Sequence, residues 1–485
     1  MRSLCLACAV AAMAAACAQP TPEQQIVNDA AAALGGRDKV LAVKSIVIEG
    51  DGMNGNLGQD MTMDATSQAF QLSGYKRAID VAAGRQRVEQ TRTPNFAYFQ
   101  GQQPQKQVLG VDGDVAYNVA PDGKPARAAQ AAAKDRRVEI YHHPLTIVRA
   151  ALDPAARLAN PRDANGQRAV DVTTAGGLTF TLAIDKTTKL PTRVVSMTDN
   201  TNLGDVAIET SFADYQDVSG LKLPARLTTK TDKYTTAEIR ASKQIVDGET
   251  GDLAAPQAAA SAPAITAPPP ATVTAEELAK GVWFLAGQTH HSVLAEFGDH
   301  LVLIESPQND TRALAVIAKA RELRPGKPLT HVVNTHHHFD HSGGLRAAVS
   351  EGLAVITQSA NVAFYKDAMT RSHTIVPDAL AKNAKPLTVE GVDEEKTLQD
   401  SAMTINLYHI AGSPHADTLL MAYFPKQRLL VEADVFSPAS AVQPYAANLI
   451  ENIKKHNLQV DRIVPIHGTV VPFSELVKTQ VKATN

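Results

Sequence analysis

The most informative segment of this sequence is Thr335-His336-His337-His338-Phe339-Asp340-His341-Ser342-Gly343-Gly344. It follows an apolar run, His331–Asn334, that is typical of a buried strand. Alternate residues of an extended loop point the same way, so the side chains of His336 and His338 can bind one metal ion. Asp340 and His341 can then turn toward a second ion nearby. The pattern His-x-His-x-Asp-His is rare by chance, and it predicts a metal site at the end of this strand.

Three more polar residues follow later apolar strands. His415, Asp434 and His467 each come shortly after a run that is typical of a strand. Loops at strand ends are where an α/β sheet presents its functional groups. Two histidines and a carboxylate placed in this way match a paired zinc site, in which each ion takes three or four nitrogen or oxygen ligands plus water.

Residues 274–485 alternate between strand-like and helix-like segments. The predicted strands include 292–297, 301–304, 331–334 and 354–357, and the predicted helices include 311–323 and 343–350. This alternation predicts a layered α/β domain. The length of the segment suits a single domain.

These motifs give residues 274–485 a resemblance to the metallo-β-lactamase-fold hydrolases. All five motifs of that family have a counterpart here, in the same order. The resemblance implies an αββα sandwich with two metal ions at one edge. The implied ligands are His336, His338 and His415 for the first ion, Asp340, His341 and His467 for the second, and Asp434 as the bridge between them. Glu305 stands where the family usually has Asp, and we expect it to support the ligands by hydrogen bonds.

The resemblance also implies the chemistry. Two zinc ions about 3.5 to 4 Å apart would share a bridging hydroxide, whose pKa falls toward about 7 and which attacks an ester-like centre. Asp340 is expected to bind metal and to accept the proton, which makes it the predicted catalytic residue. Zinc is the expected metal because it needs no redox control outside the cell, and manganese, iron and cobalt accept the same ligands.

One departure from the β-lactamases narrows the substrate class. Those enzymes mostly carry Cys or Ser where this sequence has Asp434, whereas a bridging Asp is typical of the lactonase, thioesterase and phosphodiesterase branches. We therefore expect an ester-like substrate: a lactone, a thioester or a phosphodiester. Two alternatives stay open. One is a β-lactamase or other cyclic-amide hydrolase, and the other is an envelope ligand-binding or carrier protein with an attached hydrolase domain.

Residues 20–252 have a different character. Apolar residues recur at every second position of several runs, and Asp-Gly and Asn-Gly pairs separate the runs, which predicts strands joined by hairpins. A helical patch is predicted near 126–152, with His142 and His143 at its surface. We expect a mainly antiparallel, curved β-sheet that weakly resembles the half-barrels of bacterial lipoprotein-carrier proteins. Residues 253–273 are rich in Ala and Pro and uncharged, which predicts a linker.

The start of the chain is typical of a secretory signal. Residues 1–18 combine Arg2 with an apolar run that is too short to span a bilayer, and Cys17 lies in a weak lipobox. We expect a protein that is exported to the periplasm or anchored to the outer membrane by a lipid on Cys17. All three cysteines lie near this end, which excludes a disulfide framework in the rest of the chain.

The composition excludes several classes of partner. The chain has 485 residues, of which 44% are hydrophobic and 20% charged, so wholesale disorder is excluded. A net charge of -3 and an aromatic content of 5% provide neither a basic field nor a stacking platform for nucleic acid. A small-molecule substrate is the expected partner, and the sequence leaves the oligomeric state open.

Four more residues and one segment are weaker candidates. His290 precedes a strand whose start can lie near the mouth of the site, where it could contact substrate. Tyr365 and Tyr445 lie in segments that could overhang the metals, and 361–385 is the expected lid. His337 lies between two predicted ligands and is expected to have a structural role.

Overall fold

A computed structural model describes residues 19–97, 99 and 101–482. They form a first domain built on one large sheet and a second domain built on two smaller sheets. The predicted signal peptide, residues 1–18 with Cys17, lies outside the described residues. Within the described part of the chain, no helix has both the length and the apolar character needed to cross a bilayer.

The first domain is one continuous antiparallel sheet with helices packed on it. Its strands are β1 (Ser45–Gly55), β2 (Ala69–Asp80), β3 (Arg85–Pro94), β4 (Gln105–Asp112), β5 (Val115–Val119), β6 (Pro125–Arg127), β7 (Arg157–Ala164), β8 (Gln167–Thr173), β9 (Thr179–Asp185), β10 (Pro191–Asn200), β11 (Gly204–Val218), β12 (Leu221–Thr231) and β13 (Tyr234–Val246), and its helices are α1 (Pro22–Leu34), α2 (Arg37–Ala42), α3 (Gln130–Ile140) and α4 (Pro144–Ala151). The strand order is β6-β5-β4-β3-β2-β1-β13-β12-β11-β10-β9-β8-β7. The first and last strands therefore pair in the middle of the sheet. The predicted antiparallel β domain is confirmed.

Helices α1 and α4 cover one face of this sheet. The Thr21 hydroxyl accepts a hydrogen bond from the Gln24 N–H, and Oε1 of Gln24 accepts one from the Thr21 N–H, a capping box that fixes where α1 begins. Apolar residues of α1 and α4, including Ile26 and Leu145, are buried together with Ile48 and other apolar side chains of the strands. Removal of this apolar surface from water is the main stabilising contribution to the domain.

The predicted helical patch consists of two helices that meet at a turn. Pro144 occupies the first position of α4, where its missing N–H costs no helical hydrogen bond. The prediction that His142 and His143 lie at the surface is wrong, because both side chains are buried. The ring nitrogens of His142 lie 2.9 Å from the hydroxyl oxygens of Thr210 and Ser196. The turn, and not a helix face, directs these two side chains inward.

Residues 253–273, the predicted linker, run along the first domain. They include a short helix, α5 (Gln257–Ala260). Leu253 and Ala259 are buried. The Gln130 N–H donates to the carbonyl of Ile265 at 2.9 Å, which ties the segment to the start of α3.

The second domain contains two mixed sheets flanked by helices. Its strands are β14 (Thr274–Ala279), β15 (Val282–Ala286), β16 (Ser292–Glu296), β17 (Leu301–Ile304), β18 (Leu329–Val333), β19 (Ala354–Gln358), β20 (Val389–Val392), β21 (Glu395–Gln399), β22 (Thr404–His409), β23 (Leu420–Phe424), β24 (Leu429–Glu432), β25 (Arg462–Pro465) and β26 (Val471–Pro472), and its helices are α6 (Asp310–Leu323), α7 (Phe339–Ser342), α8 (Leu345–Ser350), α9 (Val362–Thr370), α10 (Ala379–Lys382), α11 (Ala446–Lys455) and α12 (Phe473–Lys482), with a 3-10 turn at Ser359–Asn361. Strands β14 to β20 form one sheet in chain order, and β21 to β26 form the other.

The two sheets face each other across an apolar core. Side chains such as Val293 and Phe284 from the first sheet pack with Leu407 and Val431 from the second. Helices α6 and α8 cover the outer face of the first sheet, and α11 and α12 cover that of the second. This four-layer arrangement confirms the predicted αββα sandwich. Because β17, β18 and β19 run parallel, the loops after them emerge at one edge of the sandwich.

Candidate metal centre

Loops that follow four strands of the second domain meet at one edge of the sandwich. The segment after β18, a loop that leads into α7, carries residues 336–341, and the loops after β22, β24 and β25 carry His415, Asp434 and His467. The turn before β16 adds His290. Their nitrogen and oxygen atoms form two groups, in each of which the atoms lie within 4.8 Å of one another: His336, His338, His415 and Asp434 in one, and His290, Asp340, His341 and His467 in the other. The structure thus brings together all seven predicted ligands.

The first group depends on the alternating direction of the side chains in the loop after β18. The ring centroids of His336 and His338 are 4.4 Å apart, and the His415 ring lies 5.2 and 4.5 Å from them. His336 and His338 are buried. Three imidazoles this close can bind a single tetrahedral ion and leave one position open.

Asp434 lies between the two groups. Its Oδ2 atom is 3.1 Å from Nε2 of His415 and 3.2 Å from Nε2 of His341. Its Oδ1 atom is 2.8 Å from Nε2 of His467. One carboxylate therefore reaches side chains of both groups, which is the position that a bridging ligand needs.

The backbone holds Asp434 in an unusual conformation. Its φ is +61°, in the left-handed region that residues other than glycine seldom adopt. The buried carboxylate of Glu432 stabilises this turn by accepting hydrogen bonds from the N–H groups of Val435 and Phe436, at 3.2 and 3.1 Å. Burial raises the pKa of Glu432 well above its usual value. Backbone strain of about 1–3 kcal/mol is typical of functional sites.

In the second group, hydrogen bonds on the outer side of two rings leave the inner nitrogens free to bind metal. His341 donates from Nδ1 to Oε2 of Glu305 at 3.0 Å, and His467 donates from Nδ1 to the carbonyl of Thr289 at 3.0 Å. Their Nε2 atoms face each other at 3.1 Å. Because Nδ1 of each ring is occupied in this way, Nε2 is the nitrogen that each ring offers to a cation, which would take the place of a proton there.

Buried histidine nitrogens without hydrogen-bond partners show whether the first group suits a metal ion. His338 donates from Nε2 to the carbonyl of Asp60 at 2.9 Å, which leaves a lone pair on Nδ1. Within the described residues, neither this Nδ1 nor Nε2 of His336 has a hydrogen-bond partner, although both are buried. Unsatisfied buried nitrogens are costly, and a bound metal would satisfy them. The residues present therefore fit metal ions, and imidazole with carboxylate suits zinc.

Glu305 lies where the sequence placed it, behind the ligands. It follows β17 with a φ of +72° and is fully buried. Its Oε1 accepts a hydrogen bond from the Thr335 N–H at 2.7 Å, while Oε2 accepts from His341. One side chain thus fixes both the start of the metal-binding loop and the ring orientation of a predicted ligand.

His290 is closer to the centre than the sequence indicated. Its Nε2 lies 3.1 Å from Oδ2 of Asp340, and the amide Nε2 of Gln308 donates to its Nδ1 at 3.0 Å. Because Nδ1 accepts, Nε2 carries the proton and donates to the carboxylate. His290 thus orients Asp340 in this arrangement. The only signal in the sequence was its place just before a strand.

The ionisation states suit metal binding. Burial lowers the pKa of His336 and His338 well below the usual histidine value, so both rings are neutral. Burial opposes ionisation of Asp434, but neighbouring histidines, His341 first, outweigh it and hold the pKa of Asp434 well below its usual value. Burial also opposes protonation of His341, yet the adjacent carboxylates, Asp434 first, raise its pKa well above the usual value. The centre therefore attracts positive charge.

A pocket of about 320 Å³ opens over the two groups and is walled by both domains. The lining residues of the second domain are Asp340, His415, Asp434, Ser437, Tyr445 and His467, and those of the first are Asn56, Gln59, Gln68, Phe96, Ala97 and Phe99. None of these described lining residues is Lys or Arg. The pocket thus has amides and aromatic rings on one side and the metal-binding groups on the other.

Two of the weaker predictions need correction. Tyr365 does not overhang the centre: it is buried, and its hydroxyl donates to Oδ1 of Asn334 at 2.5 Å. None of the described residues in 361–385, the expected lid, lines the pocket. The first domain supplies that wall. Tyr445 does line the pocket, where its ring centroid lies 5.2 Å from that of His415.

The family comparison agrees with this geometry. Residues 286–467 match the model of the metallo-beta-lactamase superfamily. The match lies within the second domain and covers less than half of the chain, and it assigns that domain to the metallo-β-lactamase fold. A match to this model indicates that the second domain is a metal-dependent hydrolase domain. No curated protein matches the sequence.

Similar solved structures include three metallo-β-lactamases. The enzyme from Pontibacter korlensis is 18% identical and covers 44% of this chain and 100% of its own, with a TM-score of 0.34. The enzyme from Hirschia baltica is 15% identical and covers 43% and 96%, with a TM-score of 0.34. FIM-1 from Pseudomonas aeruginosa, in its mono-zinc form, is 16% identical and covers 44% and 98%, with a TM-score of 0.34. Identities this low assign no substrate to the present chain.

Proposed function

We propose that this protein is a dinuclear zinc hydrolase that cleaves an ester-like bond in an uncharged substrate, a lactone or a thioester. The observation that carries the proposal is the position of Asp434, whose carboxylate reaches the nitrogens of both ligand groups. A single-ion site would need only one group. We also propose export of the protein, on the N-terminal sequence alone.

The lining of the pocket supports an uncharged substrate. A phosphodiester or the carboxylate of a β-lactam carries a negative charge, which is usually paired with Arg or Lys in a binding site. The described lining residues contain neither, and they include the carboxylates of Asp340 and Asp434. The rings of Phe96, Phe99 and Tyr445 offer an apolar surface for the acyl or alkyl part of a substrate.

Different residues of this chain have different roles around the reacting bond. Zinc, when bound, would polarise the acceptor oxygen of the substrate and lower the pKa of a water molecule. Asp340, oriented by His290, presents a carboxylate toward the pocket that can accept the proton of the attacking water. Glu305 keeps the His341 ring fixed, so the ligands need no rearrangement during turnover. The walls from both domains restrict bulk water near the bond.

The test is a substrate panel with a matched pair of variants. Purified zinc-loaded protein would be assayed with an uncharged lactone, a thioester, a phosphodiester and a cephalosporin. We expect the lactone or thioester to have the highest kcat/KM, and His338→Ala to lose activity by at least about a thousandfold. His331→Ala, on β18 but outside the centre, should retain activity. Preference for the phosphodiester or the cephalosporin would overturn the substrate class, and full activity of His338→Ala would overturn the metal mechanism.

A further inference from the structure

The loop between β1 and β2 of the first domain, residues 56–68, enters the metal centre of the second. The carbonyl of Asp60 accepts hydrogen bonds from Nε2 of both His337 and His338, each at 2.9 Å. The amide Nε2 of Gln59 donates to Oδ1 of Asp340 at 2.6 Å. Two predicted metal ligands are thus held by a segment that lies outside the hydrolase domain.

We propose that the first domain is a structural part of the metal centre, with Gln59 and Asp60 as positioning residues for Asp340 and His338. The proposal rests on the proposed function, because it requires that these ligands bind metal. It assigns the first domain a role in metal affinity, beyond covering the pocket.

The hydrogen bond to Asp60 sets the tautomer of His338. A main-chain carbonyl can only accept, so Nε2 of His338 must carry the proton and Nδ1 must keep its lone pair. That lone pair is the one that His338 offers to the metal. Loss of the carbonyl would free the ring to adopt the other tautomer or to rotate. Partners of this kind typically contribute about 10- to 100-fold to metal affinity.

The side chain of Asp60 keeps its own carbonyl in place. Asp60 is only 3% exposed, and its carboxylate accepts hydrogen bonds from the N–H of Met61 at 2.7 Å, the hydroxyl of Ser67 at 2.9 Å and the N–H of Gln68 at 2.7 Å. These contacts close the loop into one conformation. Three donors on one buried carboxylate thus fix the conformation of residues 60–68.

Gln59 completes the support of Asp340. Oδ1 of this carboxylate accepts from Gln59 and Oδ2 accepts from His290, so one residue from each domain holds it. Two donors on different oxygens fix the rotation of the carboxylate plane. Without Gln59, Asp340 would be held on one side only.

Gly58 of this loop, and Asn202 elsewhere in the first domain, make further contacts with helix α7. The N–H of Phe339 donates to the carbonyl of Gly58 at 3.0 Å, and a Cβ at Gly58 would lie 2.2 Å from the Phe339 ring, so only glycine fits. Asn202, which precedes β11, donates to the carbonyl of Phe339 and accepts from the Ser342 hydroxyl, at 3.2 and 2.9 Å. The first domain therefore contacts the metal-binding loop at several points.

Zinc affinity of the full-length chain tests the proposal. Gln59→Ala and Asp60→Asn would be compared with two controls in the same domain: Gln71→Ala on the exposed side of β2, and Asp64→Asn, an exposed acid in the same loop. Affinity would be measured by competition with a chromophoric chelator. We expect zinc to bind about 10- to 100-fold more weakly to each test variant and unchanged to each control.

A second readout separates positioning from damage to the fold. The visible spectrum of the Co²⁺-loaded protein reports ligand geometry, and we expect Gln59→Ala to change it while the far-ultraviolet circular dichroism stays that of the wild type. Affinity and spectrum of Gln59→Ala and Asp60→Asn equal to those of the controls would overturn the proposal. Failure of the wild-type chain to bind zinc at all would instead overturn the proposed function, and this inference with it.

Discussion

The Oδ1 atom of Asp434 lies 2.8 Å from Nε2 of His467, although the two residues follow different strands. The other oxygen of the same carboxylate faces the first ligand group. Asp434 therefore joins two sets of side chains that would otherwise be separate. Both the dinuclear proposal and the choice of an ester-like bond depend on this residue.

Asp434→Asn should convert a two-metal centre into one that binds at most one ion tightly. The amide keeps the size of the side chain but removes the negative charge that offsets the repulsion between two dications. We expect kcat/KM to fall by about a hundredfold or more. Metal content after gel filtration checks this, with Asp417→Asn, an exposed acid near His415, as the control. Two equivalents of zinc retained in Asp434→Asn would show that the residue does not bridge.

Glu305→Gln should weaken metal binding without removing a ligand. One oxygen of Glu305 accepts from Thr335 N–H, so the new amide group would face Nδ1–H of His341, donor against donor. We expect zinc affinity to fall by about 10- to 100-fold. Chelator competition measures it, with the exposed Glu395→Gln as the control. Unchanged affinity would show that Glu305 is not needed to orient His341.

Gln68→Arg should change the charge preference of the pocket. Gln68 lines the wall formed by the first domain, and the described lining residues contain no cation. We expect wild-type kcat/KM to be higher for an uncharged lactone than for an analogue carrying a carboxylate. An arginine at position 68 should reduce that preference by up to about fivefold, because an ion pair in a solvent-accessible pocket contributes up to about 1 kcal/mol. Wild-type preference for the anionic analogue would contradict the substrate class proposed here.

The first domain should lose stability as the pH falls below about 6.5. Burial lowers the pKa of His142 to about 3 in the folded chain, whereas an unfolded histidine titrates near 6.5. Between these values the unfolded chain binds a proton that the folded chain excludes, so the free energy of unfolding decreases as the pH decreases. The slope is about 1.4 kcal/mol per pH unit for this residue. Urea unfolding at several pH values tests it, and His142→Gln should reduce the slope by that amount. An unchanged slope would mean that His142 is not buried neutral.

The second domain was largely predictable because its ligands follow strands of strong apolar character. Each predicted ligand lies shortly after a strand end, in a loop or in the short helix α7, so a correct set of strands places them at one edge. The first domain was predictable only as an antiparallel sheet. Its contacts with the centre, such as that of Gln59 with Asp340, join residues 281 positions apart, and no local pattern marks them. His142 was misplaced because the expected helix is interrupted there: α3 ends at Ile140 and α4 begins at Pro144, so His142 lies in the turn between them.

The most direct test of the central claim is a crystal structure of the zinc-loaded chain with anomalous data at the zinc edge. We predict two anomalous peaks. One should lie about 2.0–2.1 Å from Nε2 of His336 and Nδ1 of His338, and the other at the same distance from Nε2 of His341, with Asp434 between them. A single peak, or peaks outside these two groups of side chains, would contradict the account.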